Sequence, residues 1–143
     1  MFQGTHTALI TPFRNGVVDT DAFRSLIDRQ IEGGVDGIVP CGTTGESPTL
    51  GRQEHLHVIE LAVEYAAGRI KVIAGTGANA TAEAIQLTTQ AAAMGVDGTL
   101  QVCPYYNKPS QEGLYQHYKA IAECSDLPVM LYSIPGRSVI EIA

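Results

Sequence analysis

The tetrapeptide Gly34-Val35-Asp36-Gly37 returns as Gly95-Val96-Asp97-Gly98, 61 positions further along the chain. Each copy closes a stretch with helical spacing and opens an apolar run, and Gly68-Arg69-Ile70-Lys71 opens another run midway between them. The repeating unit is therefore about 30 residues, the size of one strand followed by one helix. Few folds are open to a chain paced this way. Parallel strands joined by crossover helices satisfy it.

The apolar runs predict five strands, at Thr7–Thr11, Gly37–Cys41, Lys71–Gly75, Gly98–Val102 and Pro128–Tyr132. Their middles are almost continuously apolar, as parallel strands covered on both faces require. Four helices lie between them. The first sets Phe23, Leu26, Ile27 and Ile31 on one stripe and stops at Gly33-Gly34. The second runs from about Arg52 to Ala67 with Leu56, Ile59, Val63 and Ala66 inward. The third spans Thr81 to Met94, with Thr81 expected as N-cap and Glu83 in the first turn. The fourth starts at Ser110 and is expected to bury Leu114, Tyr118, Ile121 and Ala122.

This order suits a doubly wound sheet or part of a (βα)8 barrel. A whole barrel needs about 250 residues, so the 143 present would supply only part of one, and Ser138 to Ala143 are expected to add no fifth helix. The net charge of −6, with no basic cluster, argues against nucleic acid or an anionic membrane as a partner. No apolar run reaches the eighteen or so residues of a membrane span, and the N-terminus lacks the pattern of a secretory signal. Three cysteines without a Cys-x-x-Cys pair fit a reducing, cytoplasmic setting. His55 and His57 stand two apart on the second helix, facing different ways, so no metal site is expected.

In both candidate folds ligands bind beyond the carboxyl ends of the strands. The second strand delivers Thr43, Thr44, Glu46 and Ser47 there, and the third delivers Gly75-Thr76-Gly77 and Asn79. The fourth delivers Tyr105, Tyr106, Asn107 and Lys108, and the fifth Tyr132, Ser133 and Arg137. Two phosphate-binding motifs fail. Gly42-Thr43-Thr44-Gly45-Glu46-Ser47 has no Walker lysine, and Gly75-Thr76-Gly77-Ala78-Asn79-Ala80 lacks an acidic residue ending the next strand. Hydroxyls instead suit proton transfer and carboxylate binding. Thr43, Tyr106 and Tyr132 have the types and placement for a relay, since a tyrosine linked to a hydroxyl passes protons better than one alone. The Thr43 and Thr44 amides could nest one carboxylate, and Arg137 could fork a second.

The blocks TALITPF, GTTGESPTL, VIAGTGANATAEAI, PYYNKPSQEGLYQHYKAIAE and LYSIPGR closely resemble the 4-hydroxy-tetrahydrodipicolinate synthase (dihydrodipicolinate synthase) family of pyruvate-dependent class I aldolases, across essentially the whole chain. The resemblance implies an α/β (βα)8 TIM barrel, with residues 1–143 as the N-terminal half of one domain: about four βα units plus strand five. It implies condensation of pyruvate with aspartate 4-semialdehyde in lysine biosynthesis, through a lysine Schiff base and no cofactor. Thr43, Tyr106 and Tyr132 match the family's proton relay, Tyr106 being the member that reaches into a neighbouring subunit of the homotetramer. Thr43 and Thr44 match the pyruvate carboxylate site, and Arg137 the semialdehyde site. Ser47, Pro48, Arg52, His55, Asn79, Glu83 and Tyr105 match a lysine-feedback site. Arg52 stands where lysine-sensitive members often carry histidine, and Ser133 replaces the usual asparagine. Lys71, Lys108 and Lys119 are the only lysines, and none aligns with the nucleophile, so the chain alone is expected to be inactive. The alternatives are an N-acetylneuraminate or 2-keto-3-deoxy sugar-acid lyase of the same superfamily, or a non-catalytic half-barrel scaffold.

Overall fold

A computed structural model describes residues 2–143. Strand β1 (His6–Ala8) leads through a small hairpin, β2 (Phe13–Arg14) and β3 (Val17–Val18), into helix α1 (Thr20–Glu32). Three further units follow: β4 (Gly37–Val39) and α2 (Arg52–Ala66), β5 (Lys71–Gly75) and α3 (Thr81–Met94), β6 (Gly98–Val102) and α4 (Gln111–Ala122). Strand β7 (Val129–Tyr132) and the one-turn α5 (Pro135–Ser138) end the described chain.

The five longer strands form one parallel sheet in the order β1-β4-β5-β6-β7. That order decides between the two architectures. A doubly wound sheet reverses direction at a switch point and needs helices on both faces, whereas here the order is sequential and α1, α2, α3 and α4 pack side by side in turn. This is the arrangement of a (βα)8 barrel.

The core lies between helices and sheet. Phe23 and Ile27 of α1 and Val58, Ile59, Ala62 and Ala66 of α2 close on Ile38, Val72 and Ala74. A second cluster joins Ala84 of α3 to Leu114, Tyr118 and Ile121 of α4. Four local expectations need correction. Leu56 and Val63 are only half-buried, because His55 and Val58 take the inner positions of α2. Ala122 is exposed, since α4 fits against its neighbours through Leu114, His117, Tyr118 and Ile121. Thr81 is not the N-cap of α3; Ala80 is, and the Thr81 hydroxyl bonds His117 Nδ1 of α4 at 2.8 Å. The first strand is shorter than read, ending at Ala8, because the chain turns into the hairpin.

Candidate active site

After β4 the backbone makes two left-handed steps, at Cys41 (φ 54°) and Glu46 (φ 60°), folding Gly42 to Ser47 into a tight loop. The Gly45 and Ser47 amides both donate to the Gly42 carbonyl, at 3.1 and 3.4 Å. The buried Thr11 hydroxyl ties the loop to β1's connection by donating to the Gly45 carbonyl at 2.8 Å. A Cβ on Gly75 would collide with the Cys41 carbonyl, so β5 can carry only glycine where it meets this loop. Close backbone approach therefore accounts for Gly75 without a bound phosphate. The Thr43 and Thr44 amides donate to no group among the described residues.

Above the sheet lies a cavity of about 270 Å³, lined by Thr43, Gly75, Leu100, Val102, Tyr132 and Arg137 among others. Register explains the tyrosine. Tyr132 pairs with Val102 across the parallel β6–β7 ladder, so the two share a face and point into the cavity together. Thr43, Tyr132 and Arg137 are thus brought together. Thr44 is exposed and off the lining, and Tyr106 is 89% exposed on a left-handed loop residue (φ 74°). Within one chain the expected relay of Thr43, Tyr106 and Tyr132 is not assembled, because the turn that carries Tyr106 aims it at solvent. Cys41 also lines the cavity, and burial pushes its thiol up to about 12, leaving it protonated.

A smaller cleft of about 50 Å³ lies behind this cavity, lined by Ser47, Pro48, Arg52, His55, Glu83 and Tyr105. The two chambers share a wall of Ser47, Pro48, Gly77 and Tyr105. Burial lowers the pKa of His55 against smaller raising effects from the Gly75 carbonyl and Glu83. His55 Nε2 lies 2.7 Å from the Gly75 carbonyl, so that nitrogen carries the hydrogen and Nδ1 is left an acceptor. Burial, then Glu83, raises the Tyr105 phenol. Asn79 is not on the lining, and its amide donates to the carbonyl of the lining residue Tyr105 at 3.2 Å. Arg52 turns its guanidinium to the Gln86 and Gln90 amides of α3, at 2.6 and 3.1 Å.

Sequence reasoning overlooked Ser138 and Gln101. Ser138 is buried beside Arg137 with its hydroxyl 3.0 Å from the Ile134 and Ile140 carbonyls; no motif marks it. Ser133, the departure from the family's asparagine, accepts from the Ile142 amide at 3.3 Å and so anchors the last residues. Among the described residues no cluster of three or more His, Cys, Asp or Glu could hold a metal ion. The three cysteines are free thiols, and no helix among these residues is long and apolar enough to cross a membrane.

Sheet order and cavity define the class, an α/β barrel-type protein with a largely apolar cavity, carrying Thr43, Tyr132 and Arg137, at the carboxyl ends of its strands. The chain belongs to the dihydrodipicolinate synthetase family, whose model matches residues 1–143. It is 58% identical over 142 residues to the 4-hydroxy-tetrahydrodipicolinate synthase of Leptospira biflexa, covering 99% of this chain and 48% of the relative. It is similar to the chloride-inhibited dihydrodipicolinate synthase of Acinetobacter baumannii complexed with pyruvate, with a TM-score of 0.97 and 50% identity over all of this chain and half of that one. The enzyme of Cyanidioschyzon merolae with lysine bound matches at a TM-score of 0.92 and 49% identity, over 96% of this chain and 47% of that one. The chain spans about half the length of the curated relatives it matches.

Proposed function

We propose that residues 1–143 are the N-terminal half of an enzyme that condenses pyruvate with aspartate 4-semialdehyde, in lysine biosynthesis. The observation that carries this is the convergence of Thr43, Tyr132 and Arg137 on one cavity at the strand ends, beside the undonated Thr43 and Thr44 amides. The keto-acid carboxylate rests on those amides and the Thr43 hydroxyl. Tyr132 and Thr43 carry protons to and from the bound carbonyl as a lysine amine adds to it and water leaves. That lysine lies outside these residues, so they are inactive alone. Arg137 receives the carboxylate of the semialdehyde.

Tyr106 completes the relay in a neighbouring subunit of a homotetramer, which is consistent with its exposure. The small cleft takes lysine as a feedback ligand through Glu83, His55, Asn79, Tyr105, Ser47 and Pro48, weakened by the cation of Arg52. A cytoplasmic location belongs to the same reading. Tyr105-Tyr106 together with Gly136-Arg137 favours the synthase over sugar-acid lyases. The test joins residues 1–143 to the C-terminal half of the Leptospira biflexa relative and treats the barrel with labelled pyruvate and borohydride. A covalent adduct is expected, with turnover of the semialdehyde and none of N-acetylneuraminate. Failure to trap pyruvate sinks the mechanism, and cleavage of the sialic acid sinks the substrate assignment.

A further inference from the structure

Strand β6 alternates. Leu100 and Val102 face the cavity, while Thr99 and Gln101 face the other way, toward α3. On that side four fully buried polar side chains meet: Gln101, Thr76, Thr88 and Thr99. The Gln101 amide nitrogen stands 2.6 Å from the Thr76 hydroxyl, 3.0 Å from that of Thr88 and 3.2 Å from that of Thr99. The Thr76 and Thr88 hydroxyls are themselves 2.9 Å apart. An amide has two N–H bonds for three acceptors, so the cluster is shared rather than a set of separate pairs. The Gln101 carbonyl oxygen is buried without a partner among the described residues.

Such a cluster is a poor device for stability. A buried polar group left without a partner costs free energy, and apolar side chains of similar volume would hold the three elements together at least as well. Geometry is what it supplies. Thr76 stands between Gly75 and Gly77, both on the cavity lining, and Gly77 also faces the small cleft. The Thr76 amide donates to the Leu100 carbonyl at 3.2 Å. The cluster therefore fastens the end of β5 to β6 and α3 at the wall between the two chambers.

We propose that Gln101 is a positioning residue that fixes Thr76 and, through it, the Gly75–Gly77 wall of the cavity. It touches no ligand. It sets the height of that wall against Leu100 and Val102, and so the fit of whatever the cavity holds.

The test uses the barrel completed with the Leptospira biflexa C-terminal half, carrying Gln101→Leu or, with the glutamine left in place, Thr88→Val. In either variant the Thr76 amide is expected to exchange hydrogen at least about tenfold faster. The Lys71 and Asp97 amides at the far ends of the same strands, bonded to the Asp36 and Val72 carbonyls, are expected to hold their rates. Equal loss at all three amides, or none at Thr76, overturns the proposal, because a merely structural residue moves all or none. The KM for pyruvate is expected to rise about threefold or more with kcat within about twofold. An unchanged KM beside local loss at Thr76 overturns the link to the cavity. Only this kinetic arm rests on the proposed function. A completed wild-type barrel that traps no pyruvate sinks that function, and hydrogen exchange still decides the role of Gln101.

Discussion

A methyl group on Gly75 would run into the Cys41 carbonyl, and the same glycine accepts from His55 through its own carbonyl. Gly75→Ala must therefore push β5 away from the loop, and overpacking of this kind costs about 1–3 kcal/mol; urea unfolding of the completed barrel should show it. His55 and His117 are both buried, and burial lowers both their pKa values. Each is neutral when folded, so as pH falls below the ordinary value near 6.5 the unfolded chain takes up protons that the folded one refuses. Their contribution is whole above that value and is lost as pH falls below it. His117→Gln should flatten the fall in urea stability between about pH 7 and 5; an unchanged slope would show that His117 is not among the groups responsible. At this scale the meeting of Thr43, Tyr132 and Arg137 on one cavity was legible, because parallel strands deliver the residues at their carboxyl ends to the same side of the sheet. Gln101 was not, since one glutamine in an apolar strand says nothing of three threonines brought to it by other elements.

The repeated Gly-Val-Asp-Gly is explained by the strands beside it. The Asp36 carboxylate accepts from the Thr5 amide at 2.7 Å, just below β1, and the Asp97 carboxylate accepts from the Val72 amide of β5 at 2.9 Å. Each aspartate, standing before its own strand, caps the start of the neighbouring one. Asp97 also holds Lys71 at 2.6 Å, but the lysine side chain is 66% exposed, so that ion pair adds little. Asp97→Ala is expected to cost about 1–3 kcal/mol, mostly from the lost charged cap, and Asp97→Asn clearly less, because an amide oxygen still accepts; chemical denaturation ranks the two. The repeat announced the βα unit without revealing this use. Helices were legible from their stripes, whereas the β2–β3 hairpin was missed although Asn15-Gly16 marks it. Both residues have positive φ, 54° and 81°, as a two-residue turn joining twisted strands demands. The N-cap of α3 was misread because Thr81 had a tertiary partner in His117, which local sequence does not show.

Across the whole molecule the sheet is sequential and its two outer strands, β1 and β7, each have one open side. Beside β7 lies an apolar groove of about 670 Å³ lined by Leu114, Tyr115, Tyr118, Val129, Leu131 and Ile142. Leu131 is 47% and Tyr115 60% exposed there, and near β1 Ile10, Phe13 and Val17 are exposed as well. Unpaired strand edges bordered by apolar side chains recruit another chain unless something covers them. A net charge of −6 opposes association only weakly at physiological salt, where screening acts within about 8 Å. Residues 1–143 expressed alone should therefore self-associate, sedimenting as oligomers or aggregates. Co-expression with the C-terminal half of the Leptospira biflexa relative as a separate chain should replace those species by a one-to-one complex, since the same edges then have their parallel neighbours. A monodisperse monomer with a cooperative melt would overturn this, because it would mean that the edges and the groove are stable in water as they stand.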